Sequence, residues 1–189
     1  MIDVALQFLL TELNTYMVAR TGASFGSAEM GRLVDDLGKT SIKEDHLGAW
    51  VLNIEEERTL KSQLPSTTFL NGMHVTQEPE LKVNLHVMIA ASFRQYDQAL
   101  RQISHVLTFF QSHRIFEREG YPALDARIDK MVVELESLGY EQLNQIWAFV
   151  GGKQLPSVVY RVRLLVLQDL EPSSVIPPIT VIIPDLHEM

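Results

Sequence analysis

The chain opens on a helical pattern. Ile2, Ala5, Leu6, Leu9, Leu10, Leu13, Tyr16 and Met17 recur at the i, i+3, i+4, i+7 spacing of a single apolar face. Asp3 in the first turn and Arg20 near the end suit the helix dipole, and Thr21-Gly22 supplies a stop. Residues 23–46 mix charge with glycine and predict a surface connection with one helical turn around Leu33. Over 48–58, Trp50, Leu52 and Ile54 alternate with Val51, Asn53 and Glu55, which reads as a strand. Residues 59–79 contain PSTTFLNG and QEPE, both turn and loop signals. A connection of that length often has a binding role.

The second half is more regular. Over 81–92, Leu81, Val83, Leu85, Val87, Ile89 and Ala91 share one strand face. The opposite face begins polar with Lys82, Asn84 and His86 and then turns small or apolar. Half of this strand should therefore face solvent or a partner, with the other half covered on both sides. Residues 96–113 give the strongest helical stripe, from Tyr96, Ala99, Leu100, Ile103, Val106, Leu107 and Phe110. A short strand is expected at 114–116 and a turn at 120–125. In a strand over 128–138, Met131, Val133 and Leu135 alternate with Val132, Glu134 and Glu136. A helix over 141–150 places Leu143, Ile146, Trp147 and Val150 on one side, and Gly151-Gly152 ends it. The last strong strand, 157–167, has Val158, Tyr160, Val162, Leu164 and Val166 on one face. Val159, Arg161, Arg163, Leu165 and Leu167 lie on the other.

After residue 170 the chain becomes rich in Pro and Ser, then ends in a β-prone run, Ile179 to Ile183, closed by Pro184. The expectation is one α+β domain over 1–170, with a mixed or mainly antiparallel sheet and flanking helices, and a Pro-rich tail over 171–189. The β-prone run must either close an edge of its own sheet or add to a neighbouring chain, because an exposed apolar strand aggregates.

Composition narrows the function classes. Among 189 residues there are 16 Lys and Arg against 24 Asp and Glu, a net charge of −8. That argues against a nucleic-acid partner, whose binding needs phosphate-neutralising Lys and Arg. No cysteine is present, so disulfides, thiolate metal sites and a cysteine nucleophile are excluded. Asp3 stands where a secretion signal would be basic, and no apolar run approaches the ~20 residues of a membrane span. The expectation is a chain made in the cytoplasm without direct membrane insertion.

Candidate chemistry is sparse. The histidines at 46, 74, 86, 105, 113 and 187 have no helix-compatible ligand spacing; His105 and His113 are too far apart for a zinc pair. Structural or exposed roles are expected for all six. Glu55, Glu56 and Glu57, and the pair Glu134 and Glu136, read as wet sheet surface in preference to acid–base machinery. Gly151-Gly152-Lys153 looks like a phosphate loop only superficially, since it follows a helix and lacks the remaining glycines. Ser157 has no nucleophile-elbow pattern. No catalytic residue, cofactor or metal is expected. Arg161 and Arg163 form a positive stripe in an acidic chain. They either pair with Glu134 or Glu136 on an adjacent strand or contact another subunit or a tube.

One ordered series of residues carries a family resemblance. A strand ending at Phe93 leads into a helix with Tyr96, Ala99 and Leu100, which closes in Phe109-Phe110-Gln111 and is followed by Phe116. Pro122, Leu124 and Asp125 precede a Val-Glu-Leu strand. Glu141, Leu143, Asn144 and Trp147 then lead to Gly-Gly-Lys-x-Leu-Pro-Ser-Val-Val-Tyr-Arg-Val-Arg. This series resembles the cap, or tail-terminator, proteins of phage-tail-like contractile injection systems. The first helix and the Asn53-Ile54 strand fit as well, whereas 23–46 and 59–79 do not match. The resemblance implies a structural protein and not an enzyme. It implies a ring, expected to be a hexamer, at the baseplate-distal end of a tube and contractile sheath. The ring would stop polymerisation and hold the sheath end. Its partners would be itself and the tube and sheath proteins, and the particle could be released or anchored. On this reading Lys153, Arg161, Arg163, Ile179, Val181 and Ile183 are candidate subunit or tube contacts. The competing reading is a small α+β enzyme or ligand-binding domain, which requires a pocket with convergent polar groups.

Overall fold

The computed structural model describes residues 1–22, 26–57, 66–70, 73–77, 81–167 and 174–176. For 66–70, 73–77, 164–167 and 174–176 only the backbone is described. The chain runs α1 (Ile2–Thr21), β1 (Ala28–Met30), β2 (His46–Glu56), β3 (Ser66–Leu70), β4 (Met73–Gln77), β5 (Leu81–Ser92) and α2 (Tyr96–Ser112). It continues with β6 (Ile115–Glu117), β7 (Lys130–Glu136), α3 (Tyr140–Val150), β8 (Ser157–Leu167) and β9 (Ser174–Ile176). A six-stranded sheet has the order β1-β2-β5-β8-β7-β6, and a second sheet has the order β3-β4-β9. Only β1 against β2 is parallel, so the large sheet is mixed, as the sequence leads one to expect.

One face of the large sheet is closed by α1 and α2. Leu47 and Ala49 of β2, five alternate residues of β5 from Val83 to Ala91, and Met131, Val133, Tyr160 and Val162 meet Leu6, Leu9, Leu10, Leu13, Ile103, Val106 and Phe110 there. Central β5 is apolar on both faces toward its end. Met88 and Ala90 point the other way into a second cluster with Leu33, Val34, Trp147, Val150 and Val159. Trp147 is buried as expected, while Leu143 and Ile146 pack partly buried against the same cluster. Gly151 ends α3 with φ 77°, and its N–H donates to the Trp147 carbonyl. A glycine is favoured at such an angle.

Several local expectations are corrected. No helical turn forms at Leu33; residues 28–30 make β1, Val34 bridges to Thr40, and Leu33 is buried. Residues 28–30 take their ladder from β2, while around Leu33 the chain folds back on itself, with Ser41 N–H donating to the Leu33 carbonyl and Asp35 N–H to the Lys39 carbonyl. Within 59–79, where loop signals dominate, β3 and β4 pair antiparallel, with Leu70 opposite Met73. In β2 an extra residue, Leu52, falls between the pairs Val51–Val87 and Asn53–His86. This bulge moves Ile54 to the face of Leu85 and places Asn53 beside His86, which breaks the expected Trp50-Leu52-Ile54 face. In α2, Tyr96 and Leu100 are exposed, and Gln102 and Phe109 are buried in their place. Asn84 and His86 are not wet but buried. Leu135 is exposed although it shares its strand face with Met131 and Val133. The β-prone run Ile179 to Ile183 lies outside the described residues, but β9, seven residues into the final segment after 167, pairs with β4.

Candidate assembly surface

A polar row, buried at Asn84 and His86 and half-exposed at Arg161 and Arg163, lies on the sheet face opposite α1 and α2, beyond the Trp147 cluster. The register sets which side chains meet there. Arg161 of β8 stands opposite His86 on one side and Glu134 on the other, and Arg163 stands opposite Val132. Both arginines nevertheless pair diagonally. Arg161 Nη2 donates to Glu136 Oε1 at 3.1 Å, and Arg163 Nη1 donates to Glu134 Oε2 at 3.3 Å. Diagonal neighbours on a sheet are within reach of long side chains.

His86 extends the row inward. Its Nδ1 lies 2.7 Å from Glu136 Oε2 and its Nε2 lies 3.1 Å from Glu55 Oε2. Nδ1 makes the hydrogen bond, to Glu136, whereas Nε2 approaches Glu55 without forming one. Asn84, next along the same face, donates to Glu57 Oε2 at 3.1 Å. The result is a polar ribbon across β2, β5, β8 and β7, charged where Arg161 and Arg163 meet Glu136 and Glu134. Arg161 and Arg163 keep 40% and 37% of their side-chain surface. Pairs this open contribute roughly 0–1 kcal/mol each, so the ribbon orients its side chains more than it stabilises the fold.

Of the expected contact residues, the structure brings Arg161 and Arg163 together on one face, each with a carboxylate on β7. Lys153 is exposed in the connection from α3 to β8. Ile179, Val181 and Ile183 lie outside the described residues. Sequence reasoning missed His86 and Glu55 as members of the ribbon, because only the β2–β5 register places them side by side. It also missed the aromatic surface of α3, where Tyr140 and Phe149 are 95% and 62% exposed. Their positions fall outside the Leu143-Trp147-Val150 stripe, which is the signal that could have found them. Among the described residues no strand pairs with the outer edge of β2 past Ala49, since β1 reaches only Leu47 to Ala49.

Among the described residues, no group of three or more His, Asp or Glu is arranged to hold a metal ion. Burial pushes the Tyr160 hydroxyl above the usual phenol range, and that group has no hydrogen-bond partner. No described helix is long and apolar enough to cross a membrane.

Comparison with known proteins gives two kinds of match. The Pvc16 N-terminal domain model matches residues 5–181. Among solved structures, the sheath/tube terminator of the extracellular contractile injection system PVC, in its extended state, superposes with a TM-score of 0.58 at 17% identity. The match covers 95% of this chain and 64% of that one. The tube-terminating cap of the anti-feeding prophage superposes with a TM-score of 0.59 at 17% identity, covering 97% of this chain and 60% of that one. This chain thus spans less than two thirds of the length of both. No curated protein matches.

Proposed function

The chain belongs to the Pvc16 N-terminal domain family, and from that premise we propose that it is a structural cap of a contractile injection particle. It ends tube and sheath polymerisation at the baseplate-distal end and holds the end of the sheath. It acts as a ring of its own copies, six in the simplest case, touching tube and sheath subunits, with no nucleic acid and no reaction of its own. It is made and assembled in the cytoplasm. The observation that carries this reading is the fold shared over 95–97% of the chain with a terminator and a cap. The part of those proteins that this chain does not match, more than a third of each, can hold further contacts, which are not assigned to this chain.

The polar ribbon supports the same reading. Lys153, Arg161 and Arg163 are the basic groups offered to a neighbouring subunit or a tube end, and Ile179, Val181 and Ile183 are the apolar ones. Paired arginines on an open sheet face can exchange a carboxylate of their own chain for one of a partner at small cost, because exposed pairs are weak. Negative-stain images and light scattering of the purified chain test the proposal. Discrete rings without any ligand are expected. A monomer at tens of micromolar concentration would overturn the ring.

A further inference from the structure

We propose that the cavity between the end of α1 and the middle of α2 is a carboxylate-binding site, which takes an acidic side chain carried on a partner polypeptide. The site itself stands on the chain's own geometry; only the identity of the partner rests on the assembly reading above. The cavity measures about 370 Å³ and is lined by Arg20, Thr21, Gln98, Arg101, Gln102 and His105. In a chain with net charge −8, two arginines and a histidine converge here without a carboxylate among the described lining residues. Arg101 has only a distant, exposed carboxylate in Asp97, at 3.9 Å, and Arg20 lies over the Tyr16 ring at 5.0 Å. Their guanidinium forks match the planar geometry of a carboxylate.

Gln102 adds an independent observation. It is only 2% exposed, and its Oε1 has no hydrogen-bond partner. Gly26, at φ 83°, closes on the same amide so tightly that a Cβ there would stand 3.0 Å from Gln102 Cδ. A buried amide oxygen without a partner is costly, and a ligand that brings an N–H relieves that cost. The ligand therefore carries an anion and a neighbouring N–H donor, which describes a Glu or Asp presented on a peptide backbone. A phosphate diester satisfies the arginines but offers no donor to Gln102. The volume sits near the lower end of the ~300–1,000 Å³ of ligand sites, which suits one side chain and its flanking peptide groups.

The carboxylate can come from a second copy or from another subunit of the particle. The probe is N-acetyl-triglutamate amide, titrated into the full chain and followed by NMR. Shifts are expected at the Gln102 side-chain amide and the His105 ring, with affinity falling as salt rises. The double variant Arg20→Gln/Arg101→Gln, at exposed positions that leave the fold intact, should weaken binding at least tenfold. Gln102→Met should weaken it too; if that variant misfolds, the arginine pair still decides. Absence of shifts at these residues, or equal binding by the double variant, overturns the site. Inorganic phosphate bound as tightly as the peptide means an adventitious ion only, which also overturns it. Sedimentation of the double variant then separates the sources. Lost self-association points to a second copy. Intact rings that no longer attach to tube and sheath subunits point to another protein. Either result upholds the site, whereas a monomeric wild type that binds the peptide removes the ring and keeps the site.

Discussion

Arg161 faces Glu134 in the β7–β8 register but bonds to Glu136, two residues farther along, and leaves Glu134 to Arg163. Both arginines are thereby displaced by one diagonal step, and Glu136 serves Arg161 and His86 at the same time. A pair at strictly opposite positions would hold Arg161 and Glu134 and leave Arg163 against Val132. The diagonal arrangement gives each cation a carboxylate, and it ties the strands of the open face into one row.

Reversing that row tests its role in assembly. Arg161→Glu together with Arg163→Glu places four carboxylates from β7 and β8 side by side. Because the pairs are exposed, the fold should survive, with a loss of about 1–2 kcal/mol at most. Self-association should fall, and in the wild type it should weaken with added salt. Unchanged rings in sedimentation would return both arginines to the role of solvated surface.

The second cluster makes a different prediction. Trp147 is 6% exposed and packs with Met88, Ala90 and Val159 from the sheet and Leu33 and Val34 from the connection. Trp147→Ala should cost ~3–5 kcal/mol and lower the midpoint of thermal unfolding. A variant that melts like the wild type but no longer assembles would move Trp147 from the core to an interface.

Gly152 ties the same region together by close approach. A Cβ at this position would lie 2.5 Å from Val34 Cγ1. Valine is β-branched and cannot swing aside, so the connection over 31–42 must shift. Gly152→Ala should cost ~1–3 kcal/mol as overpacking, and the additional Val34→Ala should recover part of it. Additive losses in chemical denaturation would refute the contact.

How much of this was legible in the chain depends on where each residue's partners lie. The bounds of β5 and β8, and the Gly151 stop of α3, can be read locally because their periods and caps sit within one element. Ala28–Met30 could not be read, since three residues carry no period and become a strand only by lying along β2. The β3–β4 hairpin had a signal, Asn71-Gly72 between two β-prone runs, but the surrounding Pro and Glu masked it. The alternative pairing of Arg161 and Arg163 with β7 carboxylates was foreseeable from sequence. The diagonal choice and the entry of His86 depend on register and on the bulges near Leu52 and Asn84, which side-chain alternation does not announce.

Acid stability follows from three exposed pairs. Hydrogen bonds from Arg127 hold the Asp125 carboxyl well below its usual range, and Lys43 and Arg94 do the same for Glu29 and Glu44. Folded pKa values below the unfolded ones mean that the folded state binds fewer protons. The contribution is therefore complete above the ordinary carboxylate range near ~4 and is lost as pH falls through the lowered values. Asp125→Asn removes one such group. Its melting midpoint should fall less steeply than that of the wild type as pH drops from about 4.5 toward 2. Parallel slopes for the two proteins would show that the Asp125–Arg127 pair persists after unfolding.

The final segment decides whether the chain completes itself or reaches out. β9 pairs with β4, with Ser174, Val175 and Ile176 opposite Thr76, Val75 and His74. A three-residue strand on a two-stranded hairpin contributes little stability by itself, since isolated hairpins are marginal in water. The run from Ile179 to Ile183 follows Pro177 and Pro178, which bar a helix and stiffen the approach. An apolar alternating run needs a sheet edge to cover it. Two variants separate the possibilities. Deleting 175–189 removes most of β9 together with the run, whereas deleting 178–189 keeps the β9 pairing and removes the run. If the shorter deletion stays soluble and folded but no longer closes rings, the run works on a neighbouring chain, by strand addition whose backbone hydrogen bonds supply the affinity. If it melts markedly lower or becomes insoluble, the run belongs to the subunit's own sheets. A further drop in melting on going to the longer deletion then measures what β9 adds to β3 and β4.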